Sequence, residues 1–172
     1  MKTLIIHPTD PTTNFLKGIY NNLQDKKIIT GNVTKLKLQK DIETHDRIIC
    51  SMVESLKNKP NTFFIWCYAS EFVQRNGLTG LNCQMFISSV DEAWMYKFWD
   101  VEWDTIRESN ESFAKIVAKY AKEPMDVLYR HVMRDYGKLA MTNPIAKFNH
   151  ERMYLTLPQK PVMFADRVLN MN

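Results

Sequence analysis

The sequence predicts an α/β protein whose residues 1–90 form a doubly wound, mainly parallel five-stranded sheet. Short apolar runs rich in Ile and Phe alternate there with amphipathic stretches, and turn residues separate them. This alternation requires right-handed crossovers, which make neighbouring strands parallel. Residues 91–172 have helical periodicity instead and predict a C-terminal helical section. Because no linker or internal repeat separates the two halves, we expect a single domain over 1–172.

The five predicted strands are apolar runs bounded by turn residues or helix caps. Pro8 closes the first run and Gly31 the second. The fourth run is the bulkiest, which is typical of a central strand buried on both faces. The predicted strands are Thr3–His7, 27–30, 46–50, 62–67 and 83–88.

Helices are predicted between these strands and after residue 91. Four helices are predicted in the first half. The first begins after Thr12 or Thr13 and the second after Thr34, and the other two cover 52–58 and 70–76. In the second half we expect three helices. Asp104 caps the first, Glu123-Pro124 opens the second, and the third runs from about Thr142 to about Leu155. The tail after Pro158 is predicted to be a loop.

Composition and charge exclude several classes of function. The net charge is +4, but residues 91–111 hold seven acidic against two basic side chains, so a nucleic-acid-binding surface is not expected. No P-loop, GxGxxG or HExxH motif is present, and no cysteines or histidines have the spacing of metal ligands. We therefore expect no cofactor and no metal.

Location is predicted from the N-terminus and from the lengths of the apolar runs. No run approaches the ~18 residues of a membrane span. The first residues become polar too soon for a signal peptide, and the three cysteines form no disulfide framework. The cytoplasm is the expected location, without a membrane partner.

The candidate site lies at the carboxyl ends of the predicted strands, where open α/β sheets bind ligands. Cys67 ends the central strand and precedes a helix, whose dipole should lower the pKa of the thiol. His7 ends the first strand at the same edge and is the expected base, with Asp10 to orient it. His45 lies at the opposite edge. The predicted ligand-binding residues are Asp10, Ser70, Glu71 and Ser88.

The strand ending at Cys50 and the segment Phe63-Phe64-Ile65-Trp66-Cys67-Tyr68-Ala69-Ser70 resemble the sheet core of caspase-like cysteine peptidases, which include the clostripain and CHAT groups. The resemblance covers about residues 44–90 and implies that Cys67 is the nucleophile. In this superfamily the catalytic His follows the preceding core strand in a His-Gly pair. Cys50-Ser51 occupies that place, and almost no loop separates this strand from the next helix.

Two functions follow as expectations. The first is a cytosolic caspase-like cysteine hydrolase relative, either active or catalytically degenerate. The alternative is a non-catalytic α/β protein that binds a small ligand or a protein partner at the carboxyl edge of the sheet. Its ligand is an unidentified peptide or small molecule, and a homo-oligomer is left open.

Overall fold

Six strands form one mixed sheet in the computed structural model, which describes residues 3–7, 16–21, 23–30, 47–50, 59 and 61–158. The strand order is β2-β1-β3-β4-β5-β6. The strands are β1 (Thr3–His7), β2 (Lys26–Thr30), β3 (Arg47–Cys50), β4 (Thr62–Phe64), β5 (Gly80–Cys83) and β6 (Met153–Thr156). The predicted α/β class is confirmed.

The first five strands pair in parallel, so their carboxyl ends lie at one edge of the sheet. The register aligns Ile6 of β1 with Cys50 of β3, and Cys50 with Phe64 of β4. Cys50 and Phe64 therefore end β3 and β4 at the same level, and β1 continues one residue further, to His7. Cys67 comes three positions after Phe64 and therefore follows the carboxyl edge.

The sixth strand corrects the predicted sheet. The helix expected from about Thr142 to about Leu155 ends at His150, and β6 then pairs antiparallel with β5. The free edge of β5 has unpaired backbone groups, and β6 supplies their hydrogen bonds. The prediction of five strands was therefore wrong in number, because this pairing joins residues far apart in the chain.

Two strand boundaries also differ from the prediction. The central strand ends at Phe64 rather than at Cys67, and β5 spans Gly80–Cys83 rather than 83–88. Met85, Phe86 and Ile87 are buried as an apolar run should be, but they lie outside the sheet. Their pattern indicated burial correctly and strand pairing wrongly. The predicted helices after Thr34 and over 52–58, which the doubly wound arrangement requires, lie outside the described residues.

Six helices are present in the part of the chain that the structure describes. The unpredicted helix α3 begins at a capping box, in which Ser89 and Glu92 satisfy each other's backbone N–H groups. Asn143 caps α6 through its side chain, with Pro144 in the first turn. The helices are α1 (Leu16–Tyr20), α2 (Ala69–Arg75), α3 (Val90–Met95), α4 (Trp103–Lys119), α5 (Met125–Leu139) and α6 (Pro144–His150).

One hydrophobic cluster joins the sheet to the helical section. Phe113 on α4 and Tyr136 on α5 are both fully buried, with ring centroids 5.5 Å apart. The same cluster includes Leu4 of β1, Phe64 of β4 and Leu81 of β5. Burial of such side chains contributes about 1.5–3 kcal/mol each. The packing of α4 and α5 thereby holds the central strands in place.

Gly80 lies where β4 and β5 approach closely, and Gly77 provides a comparison outside the sheet. A Cβ on Gly80 would overlap the backbone oxygen of Thr62, at a φ of +143°. Gly77, which follows α2, has a φ of +61° but nothing within 4 Å of a Cβ. We expect Gly77→Ala to cost about 1 kcal/mol from backbone strain alone, and Gly80→Ala to cost about 3 kcal/mol because the strands must also separate. Urea unfolding measures both. Equal losses would contradict the described strand spacing.

Candidate functional site

Cys67 lies in a tight turn that connects β4 to α2. The amide of Ala69 donates to the carbonyl of Trp66 at 3.2 Å, which closes the turn, and α2 begins at Ala69. Cys67 is exposed and is not in a disulfide. The sequence therefore presents the thiol at the edge of the sheet, between a buried strand and a buried helix start.

Tyr68, directly after Cys67, has an unusual backbone conformation. Its φ of 62° and ψ of 23° lie in the left-handed region, which aromatic residues seldom adopt. The amide of Tyr68 donates to the carbonyl of Gln84, and this bond holds the strained residue in place. Its side chain is 54% exposed, so burial of the ring does not offset the strain. Strain of this kind often marks functional sites.

A shallow groove of about 410 Å³ lies beside the thiol. Trp66 and Phe72 contribute aromatic rings whose centroids are 5.5 Å apart in an edge-to-face arrangement. Glu71 and Arg75 contribute an acidic and a basic group to the same groove. The groove therefore combines apolar surface with both signs of charge, next to Cys67.

Segment 84–88 packs against the turn and accepts a hydrogen bond from the amide of Tyr68 through the carbonyl of Gln84. The amide of Gln84 donates to the carbonyl of Arg152 at 3.0 Å, but the residues after it lie outside the sheet and rely on side chains to satisfy buried backbone groups. The amide of Ile87 donates to Asn149 Oδ1 at 2.7 Å, and Asn149 Nδ2 donates to the carbonyl of Ile87 at 3.1 Å. Asn110 Nδ2 donates to the carbonyl of Ser88 at 3.1 Å. Two buried asparagines thus fix the segment that holds Tyr68.

Glu92 brings a negative charge to this edge. Its Oε2 accepts hydrogen bonds from the amide of Ser88 at 2.6 Å, from Ser88 Oγ at 2.9 Å and from the amide of Ser89 at 3.2 Å. The predicted ligand-binding hydroxyl of Ser88 is therefore bonded to Glu92. In this arrangement Ser88 helps to position the carboxylate.

The pKa of Cys67 is raised, and the prediction that the helix dipole lowers it was wrong. Partial burial of the thiol is the largest cause, although the residue as a whole is exposed. Repulsion by the Glu92 carboxylate adds to the increase, and a backbone hydrogen bond opposes it only in part. A raised pKa lowers the fraction of thiolate at a given pH, and the thiolate is the nucleophilic form of cysteine.

Those of the predicted site residues that the structure describes lie at different distances from Cys67. Glu71 lies in the Cys67 groove, whereas Ser70 is buried in the first turn of α2. His7 is the last residue of β1, and two strand spacings, about 10 Å, separate the axes of β1 and β4. Asp10 lies outside the described residues, as do His45 and the segment 51–58 after Cys50.

Two other histidines are placed away from Cys67. His131 stacks on Tyr120 with ring centroids 4.1 Å apart, and His150 Nε2 is 2.9 Å from the carbonyl oxygen of Met133. Both lie in the helical section. Among the described residues, no group of three or more His, Cys, Asp or Glu could hold a metal ion.

Sequence reasoning missed Glu92 and Tyr68. The capping box Ser89-Val90-Asp91-Glu92 was a visible signal for Glu92, but its electrostatic effect on Cys67 depends on how segment 84–88 folds. Tyr68 also raises the pKa of Tyr96 through a side-chain hydrogen bond, after burial as the larger cause. The described edge is therefore rich in phenol, thiol and carboxylate groups.

The effect of Glu92 on the thiol can be measured by alkylation of Cys67 as a function of pH. Glu92→Gln removes the negative charge but keeps an acceptor oxygen for the capping bonds. We expect the pKa of Cys67 to fall, so that the rate profile moves to lower pH and the rate at pH 7 increases. Glu71→Gln is the matched control, because Glu71 lies in the groove but is not a cause of the increase. Unchanged profiles in Glu92→Gln, or equal shifts in both variants, would contradict this electrostatic coupling.

None of the helices among the described residues is long and apolar enough to cross a membrane. Comparison with protein-family models, with curated proteins and with solved structures finds no match for this chain. The function proposed below therefore depends on the residues of the Cys67 edge themselves.

Proposed function

We propose that this chain is a relative of the caspase-like cysteine hydrolases that binds a peptide or small molecule beside Cys67 without hydrolysing it. One observation carries the proposal: an exposed cysteine follows a central strand in a strained turn, but partial burial and Glu92 raise the pKa of its thiol. The position of Cys67 suits a nucleophile, but the raised pKa of its thiol does not. The unpaired thiols of Cys67 and Cys83 support a reducing location, which we propose is the cytoplasm.

The neighbouring strands support the likeness to the caspase-like core. In that superfamily the His follows the strand that precedes the cysteine strand. Here β3 precedes β4 and pairs with it in parallel, with Cys50 opposite Phe64. The segment after Cys50 is thus the place that corresponds to the family's His, and its sequence begins with Ser51. The residue expected to exchange protons in a hydrolase is missing from that place.

Peptide hydrolysis needs a thiolate, a group that protonates the leaving amine and donors for the oxyanion. Burial and Glu92 disfavour the thiolate of Cys67. The loss of a general acid–base group lowers rates by about 10²–10⁴. A site that keeps the groove and loses these groups retains binding and loses turnover.

The groove is suited to a ligand that has both an apolar part and a polar end. Its volume of about 410 Å³ is within the usual range for small-ligand sites. Trp66 and Phe72 offer ring surfaces, and Glu71 and Arg75 offer a hydrogen-bond acceptor and a donor. A short peptide or an amphipathic small molecule has these features.

An active Cys–His hydrolase is the second candidate, because β1 and β4 end at the same edge of the sheet. His7 ends β1 and Cys67 follows β4, so this histidine is the candidate base that the described strand ends offer. The distance of about 10 Å between the two strand axes requires both side chains to approach each other across the end of β3.

A fluorogenic peptide library distinguishes the two candidates. We expect no turnover by the wild type, Cys67→Ala or His7→Ala, and we expect selected library peptides to protect wild-type Cys67 from iodoacetamide. Trp66→Ala should reduce this protection, because the groove loses one of its rings. Met141→Ala, an exposed apolar change outside the groove, is the control.

Turnover that is abolished by Cys67→Ala and His7→Ala but kept by His131→Ala would establish the hydrolase instead. His131→Ala is the matched control, because this histidine stacks on Tyr120 in the helical section. Peptides that never protect Cys67 would contradict binding at the groove.

A further inference from the structure

Four large apolar side chains are exposed in the segment where α3 leads into α4. Their exposed fractions are 46% for Trp94, 77% for Met95, 65% for Trp99 and 52% for Trp103. We call these four residues the Trp surface. They lie within ten consecutive residues that end one helix and begin the next. Tryptophan is enriched among the side chains that contribute most to binding at protein interfaces.

This exposure arises from an ordered turn. The amide of Phe98 donates to the carbonyl of Ala93 at 3.0 Å, and the amide of Lys97 donates to the carbonyl of Trp94 at 2.9 Å. These two hydrogen bonds form the Schellman pattern at the end of α3. Tyr96 and Phe98 then point inward, with ring centroids 4.8 and 5.6 Å from that of Phe148. One set of rings anchors the turn, and the Trp surface is left outside the core.

The charges around the Trp surface are mostly negative. Residues 91–104 hold five acidic side chains and one basic side chain, within a chain whose net charge is +4. Asp104 pairs with Arg107 at 2.9 Å. Asp91, Asp100 and Glu102 have no basic partner among the described residues. Exposed indole rings thus occur in the same short segment as carboxylates that have no basic partner in the described part of the chain.

We propose that the Trp surface is a docking site for a basic segment of a partner protein. An Arg guanidinium stacks on indole rings and also pairs with carboxylates, so one side-chain type satisfies both features of this segment. The same charges repel nucleic-acid phosphates and anionic lipid surfaces. This inference goes beyond the proposed function, because none of the four residues lines the Cys67 groove.

The test uses the full chain and a short synthetic peptide that alternates Arg with Leu. In its partner peptide, citrulline replaces every Arg, which removes the charge and keeps the shape. We expect the Arg peptide to bind and the citrulline peptide to bind at least about 10-fold more weakly. Trp99→Ala/Trp103→Ala should weaken Arg-peptide binding by about 10-fold or more. Asp100→Asn/Glu102→Gln should also weaken it, and should reduce its dependence on salt.

Two control variants show whether the peptide binds at the Trp surface alone. Met141→Ala removes an apolar side chain that is 85% exposed elsewhere, and it should leave binding unchanged. Cys67→Ala should leave binding unchanged as well, so the inference and the proposed function can fail independently. Thermal unfolding checks that each variant is folded, which is expected because the changed side chains are exposed.

Several outcomes would overturn the inference. These are the absence of Arg-peptide binding, equal binding of the citrulline peptide, and full binding by Trp99→Ala/Trp103→Ala. A wild-type dimer that this double variant converts to a monomer would assign the surface to a second copy of the chain instead. Light scattering across a concentration series detects that case.

Discussion

The bidentate hydrogen bonding of Asn149 to the backbone of Ile87 is the interaction on which the candidate site depends. Residues 85–88 are buried but lie outside the sheet, and buried backbone groups without partners cost about 1–3 kcal/mol each. Asn149 satisfies both groups of Ile87, at 2.7 and 3.1 Å, from a fully buried position. Its Nδ2 is also 3.5 Å from the hydroxyl of Tyr136, in the main core. A side chain of the helical section thereby replaces a missing strand.

The properties of Cys67 follow from this support. At the beginning of segment 84–88, the carbonyl of Gln84 accepts a hydrogen bond from the amide of Tyr68. At its end, the amide of Ser88 donates a hydrogen bond to the carboxylate of Glu92. The first contact fixes the left-handed residue after the thiol, and the second places a carboxylate where it raises the pKa of Cys67. Local backbone structure and local electrostatics are thus set by the same few residues. A turn built in this way presents a thiol and raises its pKa.

The sequence predicted what depends on local pattern and missed what depends on distant partners. Thr3–His7 matches β1, and the strand-end rule located Cys67 and Glu71 at the groove. Burial of Ile87 was visible in its apolar run, but pairing by Asn149, 62 positions away, was not. Strand β6 was missed for the same reason, because only the free edge of β5 makes 153–156 extended. Glu92 had a capping-box signal, but the sequence held no signal for its effect on the pKa of Cys67.

Amide hydrogen exchange in Asn149→Leu tests this account most directly. The variant keeps the approximate volume of the side chain and removes both hydrogen bonds to Ile87. We expect the amides of Ile87 and Tyr68 to lose protection together, while the amide of Val132, buried in α5, keeps its protection. If the Tyr68 amide stays protected when that of Ile87 does not, the turn at Cys67 is held independently of Asn149 and the account is wrong.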